Sequence, residues 1–249
     1  MKRYIIADLK RLVKRVPRWI IIGLGIVLPV IILCVMSITS DEPMTGSGYA
    51  TSAKVALQFC GLLFGLFEIS YIYGDDFKAK SMQIAIGSGI SRRRIVNTKW
   101  VTTMIVVAFD LIALAIPLII TGFFTSHGFS ATDIGGILLC GVSTWLTNIS
   151  VVGVCAILIF AMQGTGLGVL LYLAIQFSLF EKILDMISSL CHIERFHLSS
   201  YELCSLNNVF AARLELGRIH FSSLLGILIY MAISFVLTVL IFRKRELEF

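Results

Sequence analysis

The residues of this chain that could do chemistry are two glycine clusters, 4 histidines, 6 cysteines and two acids set inside apolar runs. The stretch "IAIGSGISRRRIVNTKW", residues 84–100, places two glycines around a serine ahead of three arginines, the raw material of a phosphate cradle or a nucleic-acid patch. A phosphate loop needs G-x-x-x-x-G-K-[ST] between a strand and a helix, so that backbone N–H groups and the lysine converge on the phosphates. Here the lysine is missing and no strand precedes. "GTGLG", residues 164–168, fails on the same ground, because it opens an apolar helix. His192 and His197 lie between Cys191 and Cys204, but the spacing fits no zinc pattern well, and solvated histidines are the simpler reading. Cys34, Cys60, Cys140 and Cys155 lie in apolar runs, where a thiol is usually a small apolar filler. His127 and His220 complete the histidines, and no Ser/His/Asp set shares one depth. The chain is expected to be no enzyme and to bind no metal, cofactor or nucleic acid itself.

The elements that must carry these residues follow from composition. Of 249 residues, 57% are hydrophobic and only 14% charged, with a mean hydropathy of +0.92. A soluble domain of this size needs more charged surface. The apolar residues also fall in runs long enough for a hydrocarbon core of ~30 Å, which takes about 20 helical residues. The sequence therefore predicts an all-α integral membrane protein with six transmembrane helices, at about 19–38, 55–73, 101–124, 134–162, 166–187 and 222–242. The third contains Pro117. The fifth is apolar only to Phe180, after which Glu181, Lys182 and Asp185 interrupt it. Charge sets orientation, since short cytoplasmic segments carry excess Lys and Arg. The N-terminal segment, the loop after the second span and the C-terminal tail hold sixteen of the 21 Lys and Arg. Both termini are thus expected in the cytoplasm, with the histidines, Cys191 and Cys204 outside. The net charge of +6 is accounted for by acidic lipid headgroups.

Two acids fall within spans. Glu68 lies about 7 Å from the inner end of the second span at ~1.5 Å per residue, near enough to reach the interface or pair with loop cations. Asp110 lies deeper, about 13 Å in. No basic residue is expected at that depth, while Thr144 and Asn148 of the fourth span fall near it. The reading is a hydrogen-bonded, protonatable Asp110 held by those neighbours.

The segments before and between spans have their own order. Residues 1–18, "MKRYIIADLKRLVKRVPR", set Ile5, Leu9, Leu12 and Val16 on one face and Lys and Arg on the other, an amphipathic interfacial helix. A cleaved signal peptide does not fit, because the apolar run is too long and five more spans follow. In the loop 74–100, Asp75 and Asp76 suit a helix start. Phe77, Met82, Ile84 and Ile86 are apolar anchors, Gly87 and Gly89 allow a reversal, and Ser91 can cap the helix entering the third span. The plain reading is a basic anchor on lipid; the sharper one is a lever pressed by a cytosolic partner.

This combination resembles the permease subunits of bacterial type-two ABC exporters. The basic amphipathic leader, the six spans, the span-two exit "YGDDFKAKSMQIAIGSGISRRRIV" and the tail "FRKRELEF" carry the resemblance. It implies a multi-pass protein of the cell membrane, a separate cytosolic ATP-binding subunit holding ATP and Mg, and a second permease chain, as homodimer or heterodimer. It further implies that the 74–100 loop couples to the ATPase through Phe77, Met82, Ile84, Ile86, Gly87, Ser91 and Arg92. A second contact is implied around residues 163–166, and short re-entrant or surface helices within 188–221.

Cargo is read from aromatic and polar residues. Phe59, Phe64 and Phe67 of the second span and Tyr172, Gln176, Phe177 and Phe180 of the fifth would suit a hydrophobic or amphipathic cargo. Lipid-facing or packing aromatics explain them as well, residue by residue. Compact permeases of this kind also resemble exporters of, or immunity factors against, antimicrobial or cytolytic peptides. Two other classes stand beside this one: a proton-coupled secondary transporter using Asp110, although its usual inverted repeats are not visible, and a non-transporting membrane scaffold or sensor. Finally, residues 188–210 belong to a stretch longer than a link needs, and apolar Leu190, Ile193, Phe196, Leu198, Leu203 and Leu206 recur through them, which predicts short helices that dip into or lie on the outer leaflet. Cys191 and Cys204 could bridge two of them or remain free thiols.

Overall fold

The computed structural model describes residues 2–39, 44–74, 81–190 and 198–244, and within them the chain is helix and turn with no strand. Ten α-helices follow in order: α1 Lys2–Val13, α2 Val16–Thr39, α3 Gly46–Glu68, α4 Ser81–Gly87, α5 Arg92–Thr125, α6 Ala131–Met162, α7 Gly166–Gln176, α8 Leu179–Leu190, α9 Leu203–Glu215 and α10 Phe221–Lys244. A π-helical segment, Ile69–Gly74, prolongs α3, and a 3-10 turn, Leu198–Tyr201, precedes α9.

Helix ends follow local chemistry. Pro17 sits in the first turn of α2, where its missing N–H and fixed φ cost nothing. The Thr45 hydroxyl accepts from the Gly48 N–H to open α3. The Asp133 carboxylate accepts from the Ser130 N–H to open α6, and α6 ends at Gln163 in the left-handed region, φ 53°. Ser91 stands at the N-cap of α5, though its side chain makes no capping bond. Gly89, at φ +87°, makes the reversal between α4 and α5.

Among the described residues five helices are long and apolar enough to cross a membrane: α2, α3 with its π segment, α5, α6 and α10. A sixth exists if α7 and α8, bent by 62° at Ser178 with φ 52°, count as one. This is the architecture of a multi-pass membrane protein. The expected spans differ in detail. The third is one helix from Arg92, because nothing in "RRRIVNTKW" breaks it. The second starts nine residues earlier, at Gly46 rather than residue 55, because Thr45 caps it there. The fifth is not straight.

Helix α6 is the central post, packed against α3, α5, α7, α9 and α10. It buries Val151, Val152, Cys155, Ala156, Ile159 and Phe160. Helix α2 lies peripherally against α3 and α5 and exposes Ile20, Leu24, Val27, Leu28, Ile31 and Val35, an apolar surface suited to hydrocarbon rather than water. The approach of α3 to α6 and α7 depends on glycine. A Cβ on Gly61 would overlap Thr144, and one on Gly65 would overlap the Tyr172 hydroxyl and the Asn148 amide oxygen. This is close packing of small residues four apart between apolar helices.

Candidate functional site

A buried ion triad joins three long helices. Arg18 is 4% exposed, Glu68 2% and Asp110 1%. The Arg18 guanidinium donates from Nη2 to both Asp110 oxygens, at 2.7 and 3.0 Å. It donates from Nε to Glu68 Oε1 at 3.3 Å. Glu68 Oε2 is buried without a hydrogen-bond partner. Glu68 is also the last α-helical residue before the π segment, a distortion that often marks functional positions.

The triad corrects two sequence expectations. Asp110 is held by Arg18, not by Thr144 and Asn148, and Glu68 is buried rather than reaching toward the interface. The cause is one turn of helix. Because α2 begins at Val16, Arg18 belongs to the bundle, and its long side chain runs inward to the acids. The available signal was one cation, Arg18, bordering the first apolar run, and two acids, Glu68 and Asp110, inside the next two.

Thr144 and Asn148 belong to a second, uncharged network. Asn148 Nδ2 donates to the Thr144 carbonyl at 3.0 Å. Tyr172 Oη lies within reach of the Asn148 side-chain oxygen and the Leu62 carbonyl, and it accepts from Gln176 Nε2 at 3.1 Å. The network borders a groove of about 340 Å³ lined by α3, α6, α9 and the end of α7, with Gln58, Thr144, Thr147, Gln176, Asn207 and Asn208 among its polar residues. Phe59 lies on its edge.

The other pathway residues separate. Phe64 is buried in the core, Phe67 is partly buried, and Phe177 is 60% exposed. Phe180 lines a different cavity, of about 420 Å³, with Tyr201 and Tyr230.

Helix α4 sits against the same end of the bundle as the triad. Met82 and Ala85 are buried in a cluster with Leu12, Tyr73, Ile95 and Val96, and Ile86 packs partly against it. Ile84 points the other way and is 71% exposed. Helical spacing explains this, since residues four apart share a face and residues two apart do not. Met82 and Ile86 are therefore packing residues, which corrects their expected role as docking anchors. Arg92 donates from Nη1 to the Phe242 and Arg243 carbonyls at 2.7 and 3.0 Å, capping α10 at its negative end. Phe77 lies outside the described residues.

A second buried ion pair fixes α1. Lys99 Nζ donates to Asp8 Oδ2 at 2.6 Å, with Lys99 fully buried and Asp8 7% exposed. This pair was not anticipated from the sequence. The signal was a lone acid in a basic helix.

In the region after α8, Leu203, Phe210 and Leu214 of α9 are buried. Cys204 carries a free thiol, 3.1 Å from the Ser178 hydroxyl. Cys191 lies outside the described residues. Among the described residues no group of three His, Cys, Asp or Glu side chains gathers as a metal site. Compared with models of known families and with curated proteins, the chain matches none.

Proposed function

We propose that the chain is the membrane permease subunit of an ATP-driven exporter of the type-two ABC class. It works with a cytosolic ATPase subunit that holds ATP and Mg, and with a second permease chain. The observation that supports this most is α4. One face of this short helix is locked into the core through Met82 and Ala85, while Ile84 stands exposed. The α5 rod begins five residues further on and runs unbroken to Thr125. A partner pressing on Ile84 would move α5 and, with it, Asp110 and the triad. The turn at residues 163–165 supports a second contact, because a Cβ on Gly74 at the end of the π segment would lie 3.2 Å from Thr165. The excess of Lys and Arg at the two termini and in the 74–100 loop supports cytoplasmic termini in a bacterial cell membrane, with α1 along the inner surface. The exposed apolar residues and the groove suit a hydrophobic or amphipathic cargo.

The test is Ile84→Asp. The variant should assemble normally yet lose transport coupled to ATP hydrolysis; full transport by it would sink the coupling role of α4.

A second reading rests on the triad. One guanidinium faces two carboxylates, so the buried cluster is neutral only when it holds one proton. That arrangement favours a proton-coupled transporter. Asp110→Asn decides between the readings. ATP-driven transport survives it in the first, whereas transport is abolished with assembly intact in the second.

A further inference from the structure

The polar groove is not explained by packing. Helix α3 and its π segment span Gly46–Gly74, 29 residues, and Gln58 lies twelve residues along, near the middle of a ~30 Å hydrocarbon layer. Gln58 and Asn208 are both exposed there. Asn207 lines the same groove and is 2% exposed. Its Nδ2 donates to Ser150 Oγ at 3.2 Å and to the Leu203 carbonyl at 2.9 Å, while its Oδ1 is buried with no partner. Amides at that depth have no bulk water to bond, and an unpaired buried acceptor is destabilising. The groove therefore asks for an occupant that brings both donors and acceptors.

Its chemistry narrows the occupant. Among the described residues the lining contains no Lys, Arg, Asp, Glu or His, so neither a phosphate nor an ammonium group finds a counter-charge in it. Carboxamides offer an adjacent donor and acceptor, which is the complement of a peptide bond. Val55, Phe59 and Leu62 flank them and would accept apolar side chains beside that backbone. The volume of about 340 Å³ lies in the range of small-ligand pockets.

We propose that this groove binds an uncharged, amide-bearing peptide segment through the exposed amides of Gln58 and Asn208, as the cargo subsite of the permease. The assignment of the occupant as cargo rests on the permease reading; the binding chemistry does not. The test uses the full chain in phosphatidylcholine nanodiscs and a radiolabelled N-acetyl-trileucine amide as probe. The expected result is saturable binding, weakened at least about tenfold by Gln58→Leu and by Asn208→Leu. Both side chains are exposed, and unchanged thermal unfolding would show that the variants fold. No saturable binding, or equal affinity in both folded variants, would overturn the proposal. Displacement of the probe by maltotriose as effectively as by unlabelled peptide would also overturn it, since the groove would then take polyols. Equilibrium binding needs no nucleotide or partner. Failure to recover an ATPase with the chain would therefore count against the permease reading alone, and loss of probe binding would count against the groove alone.

Discussion

Arg18 is the residue on which most depends. Breaking a buried ion pair by removing one partner typically costs ~3–5 kcal/mol, because the other charge is left in a dry interior. Arg18→Leu is expected to lower stability by about that much in detergent unfolding. Asp110→Asn in the same background should recover part of the loss, by removing one of the stranded carboxylates. If Arg18→Leu unfolds like the parent chain, the triad is not the clamp described. Gly65 makes the matching argument for packing. Gly65→Ala is expected to cost ~1–3 kcal/mol, as overpacking does, because the new methyl group overlaps Tyr172 and Asn148. Tyr172→Phe removes the nearest of the clashing atoms, the hydroxyl oxygen, so Gly65→Ala should cost less in that background. At this scale the sequence was only partly legible. It marked Glu68, Asp110, Thr144 and Asn148 as in-span polar residues, but pairing depends on where α2 begins and on which faces meet. Neither follows from one chain's spacing.

At the scale of elements, the two charged ties have different jobs. The Asp8–Lys99 pair fastens α1 to α5, and the Arg18 triad fastens α2 to α3 and α5. Lys99→Met should leave Asp8 with only Arg11 of its own helix, 3.1 Å away, and release α1 from α5, at a cost of up to roughly 3 kcal/mol. Hydrogen exchange should show faster opening confined to α1; unchanged protection there would contradict the tie. Glu202, which caps α9 through the Cys204 and Ser205 N–H groups, offers a pH test. Burial raises its carboxyl above the usual range, against the lowering effect of those bonds. A raised folded-state pKa means a contribution present below the unfolded value and lost as pH rises through the folded one. Glu202→Gln should therefore flatten the pH dependence of stability in that acidic window, and a slope unchanged from the parent would contradict this. Long apolar runs made the all-α class and the long helices legible, since periodicity and length carry that signal. The bend in the fifth span was not, because "QFSLFE" has no proline or glycine and the break rests on a left-handed Ser178.

At the scale of the whole molecule, the helices form one bundle around α6, with α1, α4 and the triad gathered at one end and the amide groove alongside the centre. On the proposed permease reading, that end couples to the ATPase and the groove holds cargo. The central claim of that reading is that a separate ATPase drives this chain through α4. The most direct measurement is affinity purification of the tagged full chain from its native membrane, followed by assay of ATP hydrolysis and identification of any bound subunit. The expected result is a stoichiometric ATP-binding subunit whose hydrolysis no longer responds to the chain in Ile84→Asp. A chain that purifies without an ATPase, and whose transport collapses with the proton gradient at constant ATP, would contradict it.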